Sequence, residues 1–203
     1  MMLLYIIRHG ETSWNVMRKI QGATDIPLNE NGIRLAKITG EKLADVPFDA
    51  AISSPLQRAY KTAQLVLGHR EIPIETDERI QEISFGDLEG EQLLQVDPSH
   101  PFFSFFADAY HYVPARNGES IYDICDRTHR FYEDLIHRED LREKTVLIAT
   151  HGCAVRALLQ PLYGDTDDFW QGGVCPNCGV NIVEVKDGKA ALLEKDKIYY
   201  EDQ

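Results

Sequence analysis

Leu3-Leu4-Tyr5-Ile6-Ile7-Arg8-His9-Gly10-Glu11-Thr12 is the stretch that organises the reading of this chain. Its apolar run is short, β-branched and aromatic, and glycine stops it, which predicts a buried strand over 3–8. In an open α/β sheet, side chains at the carboxyl end of a strand fall into the crevice where ligands bind. Arg8 and His9 would stand there. A permanently charged guanidinium beside an imidazole suits a phosphoryl group, because the arginine holds the oxygens and the histidine can attack phosphorus. Taken alone the pair reads equally as a basic surface step after a strand, so the rest of the chain decides.

Outward from this stretch, further strands are predicted over 50–53, 72–75, 145–150, 180–186 and 190–194. The last two flank Asp187-Gly188, a two-residue hairpin signal. Helical patterns lie between them. Asn29 caps one running to about Ala44. Ser54-Pro55 reads as a cap followed by proline at the first helical position, opening a helix to about Leu67. Glu119 or Ser120 opens a longer one to about His137, with Ile121, Ile124, Phe131 and Leu135 inward, and another runs from Gly152 to near Gly164. Alternating strands and helices imply a mainly parallel sheet covered on both faces, and the terminal hairpin adds an antiparallel strand. No repeat or linker marks a boundary, so 1–203 reads as a single domain.

The chain has 203 residues, 43% hydrophobic and 27% charged, ordinary for a globular protein with one full core. Lys and Arg number 21 against 33 Asp and Glu, a formal charge of −12. That excess disfavours nucleic acid or an anionic membrane as a partner, and an anionic substrate would need a local cationic site. The apolar start is too short for a signal peptide, no run approaches a membrane span, and the cysteines read as reduced thiols, all of which points to the cytoplasm. Cys175-Pro176-Asn177-Cys178 has metal-like spacing but no second ligand pair, and the other histidines (69, 100, 111, 129, 137) show no paired spacing. No metal and no cofactor are expected.

Four further features belong with Arg8-His9. Ser53-Ser54-Pro55-Leu56-Gln57-Arg58-Ala59 puts Arg58 in the first turn of a helix, where a cation opposes the helix dipole and is poorly placed for stability. Thr145–Thr150 followed by His151-Gly152 repeats the opening arrangement, since a buried strand again delivers a histidine to the sheet edge. The loop from Gln81 to Gly90 carries alternating acids, and one carboxyl group there could protonate a departing alkoxide. The loop from Trp14-Asn15 to Gln21-Gly22 and Asp25 supplies amides that can donate to phosphoryl oxygens.

These motifs, in this order and over nearly the whole chain, resemble the histidine phosphatase superfamily, also called phosphoglycerate-mutase-like. The resemblance implies a three-layer α/β/α sandwich on a mostly parallel, mixed six-stranded sheet. It also implies that His9 becomes phosphohistidine, that Glu82 is the proton donor, and that Arg8, Arg58 and His151 form the phosphate pocket. Asn15, Gln21, Gly22 and the amide of Gly152 would add hydrogen bonds. The fold admits homodimers.

The family holds both hydrolases and mutases. A mutase must shield its phosphohistidine and clamp a second anionic group, which calls for a long basic lid. Residues 91–118, expected to form a small helical cap, hold one formally cationic side chain, Arg116, so a phosphomonoesterase is the expectation. A phosphoglycerate mutase, an α-ribazole phosphatase and a non-catalytic phosphoester-binding module stay open as alternatives. Phe102, Phe105 or Phe106, and Ala109 or Tyr110 share a helical face, as cap core or as rings reaching the site mouth. Cys153 is expected to pack rather than react, and 167–170 to form a short capped surface helix.

Overall fold

The structure, a computed structural model, describes residues 1–93, 97 and 99–201. Its six strands are β1 (Met2–Arg8), β2 (Ala50–Ser53), β3 (Ile74–Thr76), β4 (Thr145–Thr150), β5 (Val180–Lys186) and β6 (Lys189–Lys197). They form one sheet in the order β3-β2-β4-β1-β5-β6. The first four run parallel, and β5 pairs antiparallel with both β1 and β6. The mixed α/β architecture is therefore the one the sequence predicts. Asp187 and Gly188 make the hairpin turn, both with positive φ, and Lys186 pairs with Lys189 across it.

Six α-helices accompany the sheet: α1 (Ser13–Val16), α2 (Glu30–Lys42), α3 (Gln57–Leu67), α4 (Ser104–Ala107), α5 (Ile121–Ile136) and α6 (Gly152–Leu159). Alternation along the buried strands divides the core between the two faces. Ile7, Leu147 and Ala149 pack with Leu35, Ala36, Ala63 and Val66 of α2 and α3. Leu4, Ile6, Val146 and Ile148 pack instead with Phe131, Leu135, Val155 and Leu158 of α5 and α6. A third apolar cluster lies beyond the sheet edge, where Phe102, Phe105 and Tyr112 meet Phe85, Ile124, Ala154, Phe169 and Trp170.

Side-chain caps set where α1, α2 and α5 begin. Asn29 accepts the Gly32 amide to start α2, and Ser120 forms a capping box with Asp123 to start α5. At α3 the expectation fails by two residues. Ser54 accepts the Leu56 amide but also receives the His151 ring, and α3 starts only at Gln57, whose amide donates to Asp25 Oδ1 from a distant loop (2.8 Å). α6 ends at Leu159, and Pro161 continues it only as a 3-10 turn over Gln160–Leu162.

Two local expectations change. The aromatic stretch is not one continuous helix but α4 flanked by 3-10 turns at Pro101–Phe103 and Ala109–His111. Within 91–118, positions 94–96 and 98 lie outside the described residues. Residues 167–170 form no surface helix. The chain turns inward, burying Phe169 and Trp170, with the indole N–H donating to the Phe105 carbonyl (2.7 Å). Two large rings gain more by entering the aromatic cluster than a short polar helix could supply.

Candidate active site

The parallel pairing of β1 with β4 places Arg8 opposite Thr150, so the next residues, His9 and His151, leave the sheet side by side. Their ring centroids are 5.1 Å apart. β2 pairs Ser53 with Ala149, which brings Ser54 against His151. Register alone thus converges residues scattered over the chain.

His9 is 2% exposed, and its Nδ1 lies 2.6 Å from the Gly10 carbonyl oxygen. A carbonyl only accepts, so Nδ1 carries the proton and Nε2 keeps its lone pair. Burial, then the nearby charges of Arg58 and Arg8, hold the imidazole well below its usual titration range, so it is neutral at pH 7. Asn177 donates to the His9 carbonyl (3.0 Å), steadying the backbone.

His151 is also buried and held neutral by burial and by Arg58. Arg58 Nε–H donates to its Nδ1 (3.2 Å), which therefore bears no proton, and its Nε2–H donates to Ser54 Oγ (2.8 Å). Both nitrogens of His151 thus face protein groups. The remaining nitrogens of Arg58 donate to the carbonyls of Thr24 and Gly22, each at 2.7 Å. Burial pushes this guanidinium down to about 10, opposed by Glu82 and Asp25, which leaves it cationic at neutral pH. Gly22 so contributes a carbonyl that anchors Arg58, and Arg58 stands as a fixed charge behind the histidines.

Arg8 faces the cavity. Its Nη1 donates to the Cys175 carbonyl (2.5 Å), while its Nε is buried with no acceptor among the described residues. A buried, unpartnered cationic donor costs free energy unless an anion meets it. Gly152 lies beside it, and a Cβ there would come within 2.7 Å of Val174 Cγ1 and 3.4 Å of Arg8 Nε.

Asn15 and Gln21 are held with their amide nitrogens free. Thr12 N–H donates to Asn15 Oδ1 (3.0 Å) and the Thr12 hydroxyl to Gln21 Oε1 (2.6 Å), so each oxygen is taken and each NH2 is left to the cavity both residues line. Glu82 sits at the start of α6, accepting the amides of Cys153 (3.2 Å) and Ala154 (3.1 Å). Arg127 of α5 fixes the backbone there, donating to the carbonyls of Arg79, Gln81 and Glu82 while paired with Glu119.

These groups border a cavity of about 250 Å³. Arg8, His9, Asn15, Gln21, Gly22 and Glu82 line it, whereas Arg58, His151 and Gly152 stand behind this lining. The lining also includes Trp14, Arg18, Lys19, Phe85, Trp170 and Val174, which the sequence reading did not select. Arg18 and Lys19 carried a signal, as cations inside an amide-rich loop. Trp170 and Val174 carried none, because they arrive from a turn far along the chain. The thiol of Cys153 is buried and pushed well above its usual range, which removes it as a thiolate. Burial pushes Cys175 and Cys178 up to about 12, and their loop serves Arg8 and His9 through backbone groups and Asn177. Among the described residues, no three His, Cys, Asp or Glu side chains are grouped to hold a metal ion.

The sequence pattern of the histidine phosphatase superfamily (branch 1) matches residues 4–197. This chain belongs to that family. It is 33% identical to the uncharacterized phosphatase PhoE of Bacillus subtilis, over 87% of this chain and 86% of that one. It is 36% identical to phosphoglycerate mutase of Schizosaccharomyces pombe, over 82% of each. The solved structure of Bacillus stearothermophilus YhfR superimposes with a TM-score of 0.89 at 35% identity, covering 98% of both chains. A phosphatase and a mutase are thus both among the relatives of this chain, and no helix among the described residues is long and apolar enough to cross a membrane.

Proposed function

We propose that the protein is a phosphomonoester hydrolase that needs no metal and works through a phosphohistidine on His9. One observation carries this reading: a buried, neutral His9 with its free nitrogen beside an Arg8 whose buried Nε lacks an acceptor. In the first step Nε2 attacks phosphorus, the bond from phosphorus to the ester oxygen breaks, and Glu82 hands a proton to that oxygen. In the second, water attacks the phosphohistidine, the Glu82 carboxylate takes its proton, and the N–P bond electrons return to Nε2 as phosphate leaves. Arg8 and the amides of Asn15 and Gln21, with Arg58 as a fixed charge behind them, offset the charge on the equatorial oxygens, and removing one direct donor typically costs ~2.7–4 kcal/mol of barrier. His151, held by Arg58 and Ser54, keeps a neutral ring against His9.

Hydrolysis is favoured over phosphoryl return because, among the described residues, the cations lining the cavity are Arg8, Arg18 and Lys19, and none comes from the 91–118 segment. A phosphoglycerate mutase is the second reading, supported by the likeness to the fission-yeast enzyme. The substrate is a small molecule, and the four free thiols fit a reducing cytoplasm. Incubation with a labelled phosphomonoester, with chelator present, should leave acid-labile label on His9 and release free phosphate, and His9→Ala should abolish both. Retained binding without labelling would make the protein a docking module, and isomerised phosphoglycerate without free phosphate would make it a mutase.

A further inference from the structure

The cavity has two unlike regions. Its deep end is polar and holds His9, 2% exposed. Its opening is marked by exposed lining residues, Phe106 at 45% and Val174 at 39%. Phe106 leans on Trp170 with centroids 5.5 Å apart, and Trp170 is pinned through its N–H to the Phe105 carbonyl. Arg18 and Lys19 line the same cavity, with the Lys19 ammonium 5.3 Å from the centre of the Trp14 ring. Arg18 is exposed, makes no ion pair or side-chain hydrogen bond among the described residues, and has φ of +51°. A non-glycine residue is uncommon in that left-handed region, which costs on the order of 1 kcal/mol or more and is held where surrounding structure demands it. Here the Arg18 backbone is clasped on both sides, its N–H donating to Asn15 and its carbonyl accepting from Leu93. In a chain of net charge −12, an unpaired guanidinium and a neighbouring ammonium at a cavity where Glu82 is the only acid among the described residues form a local reversal of sign.

A single phosphoryl group is already met by Arg8 and the amides of Asn15 and Gln21, backed by the fixed charge of Arg58. The rim cations and rings therefore meet the other end of the ester. We propose that the outer half of the cavity is a subsite for an aromatic leaving group carrying a second anion, with the ring against Phe106 and Trp170 and the anion at Arg18. Flat rings gain from edge and face contacts with such a wall, and a carboxylate gains paired hydrogen bonds from a guanidinium. The substrate class is then an aryl phosphomonoester bearing a carboxylate or comparable anion. This assignment rests on the hydrolase reading above but concerns binding alone.

Two measurements separate the two claims. With phenyl phosphate and 4-carboxyphenyl phosphate as substrates, the wild type should show the higher kcat/KM on the carboxylated ester, and Arg18→Gln should lower the ratio of the two about tenfold. Phe106→Ala, at a site exposed enough to spare the fold, should lower the preference for phenyl phosphate over ethyl phosphate several-fold. Titration with phenylphosphonate and 4-carboxyphenylphosphonate, which cannot turn over, should show the same Arg18-dependent ratio in Kd. If Arg18→Gln weakens both phosphonates equally, Arg18 is a general attractor of anions and the subsite is refuted. If binding follows the expected ratio but no ester releases phosphate, the hydrolase reading falls while the subsite stands.

Discussion

In the proposed reaction His9 depends on being uncharged. A histidine on the surface would be partly protonated near pH 6.5, and a protonated ring has no lone pair for phosphorus. Burial and the two guanidiniums hold this one neutral well below that value. The acid limb of kcat/KM should therefore lie well below pH 6.5 if it reports His9, and a pH-rate profile over pH 4–8 checks this. In the proposed reaction Glu82 acts on the leaving oxygen, so its importance should scale with how badly that oxygen needs a proton. Glu82→Gln should slow single-turnover phosphorylation of His9 by roughly a hundredfold or more with alkyl esters. With p-nitrophenyl phosphate, whose leaving group is stable as an anion, the loss should be under about tenfold. Equal losses on both would remove Glu82 as the proton donor. At this scale much of the site was legible: Arg8, His9, Asn15, Gln21 and Glu82 do meet at one cavity. That Arg58 and His151 point at one another behind it was not, since which atom a side chain reaches depends on neighbours brought in by other strands.

Elements hold these residues by backbone groups that sequence patterns do not advertise. Arg127 ties α5 to the carbonyls of Arg79, Gln81 and Glu82. Arg127→Ala should reproduce the Glu82→Gln signature in weaker form, with alkyl esters losing more than aryl esters and KM changing little. A uniform loss would mark it as merely structural. Gly22 has φ of +52°, and a Cβ there would sit 2.1 Å from Glu89 Oε1. Glu89 in turn accepts the amides of Ala23, Thr24 and Phe85. Gly22→Ala should lower stability by about 2–4 kcal/mol in denaturant unfolding, combining backbone strain with lost hydrogen bonds to a carboxylate. Helix periodicity and caps predicted α2 and α5 closely. The misjudged start of α3 has a tertiary cause, because Ser54 is drawn to His151 and a cap is lent by Asp25.

For the molecule as a whole, the two buried histidines couple stability to pH. Both have folded-state values depressed below the ordinary 6.5. Below about pH 6.5 the unfolded chain takes up protons that the folded chain refuses, so stability present at pH 7 and above declines as pH falls. The slope is about 1.4 kcal/mol per pH unit for each histidine until the folded ring itself protonates. Unfolding midpoints measured from pH 7.5 to 5 should fall, and His9→Asn should lessen the slope by about half. An unchanged slope would contradict the neutral, buried state of His9.

Strand and helix periods, the glycine stops and the two His-Gly steps sufficed to assign a mixed α/β sheet and to set Arg8, His9 and His151 at its carboxyl edge, because each is a local consequence of which residues must be buried; the roles proposed for Asn15, Gln21 and Glu82 came from the resemblance to the family. The rim of the cavity is a different matter. Arg18, Trp170, Val174 and the exposed edge of Phe106 come from separate turns, and their meeting depends on strand order, on the inward fold of 169–170 and on a left-handed backbone at Arg18. Those are long-range packing outcomes, settled by the balance of burial and strain across the assembled chain, and no window of neighbouring residues contains that balance.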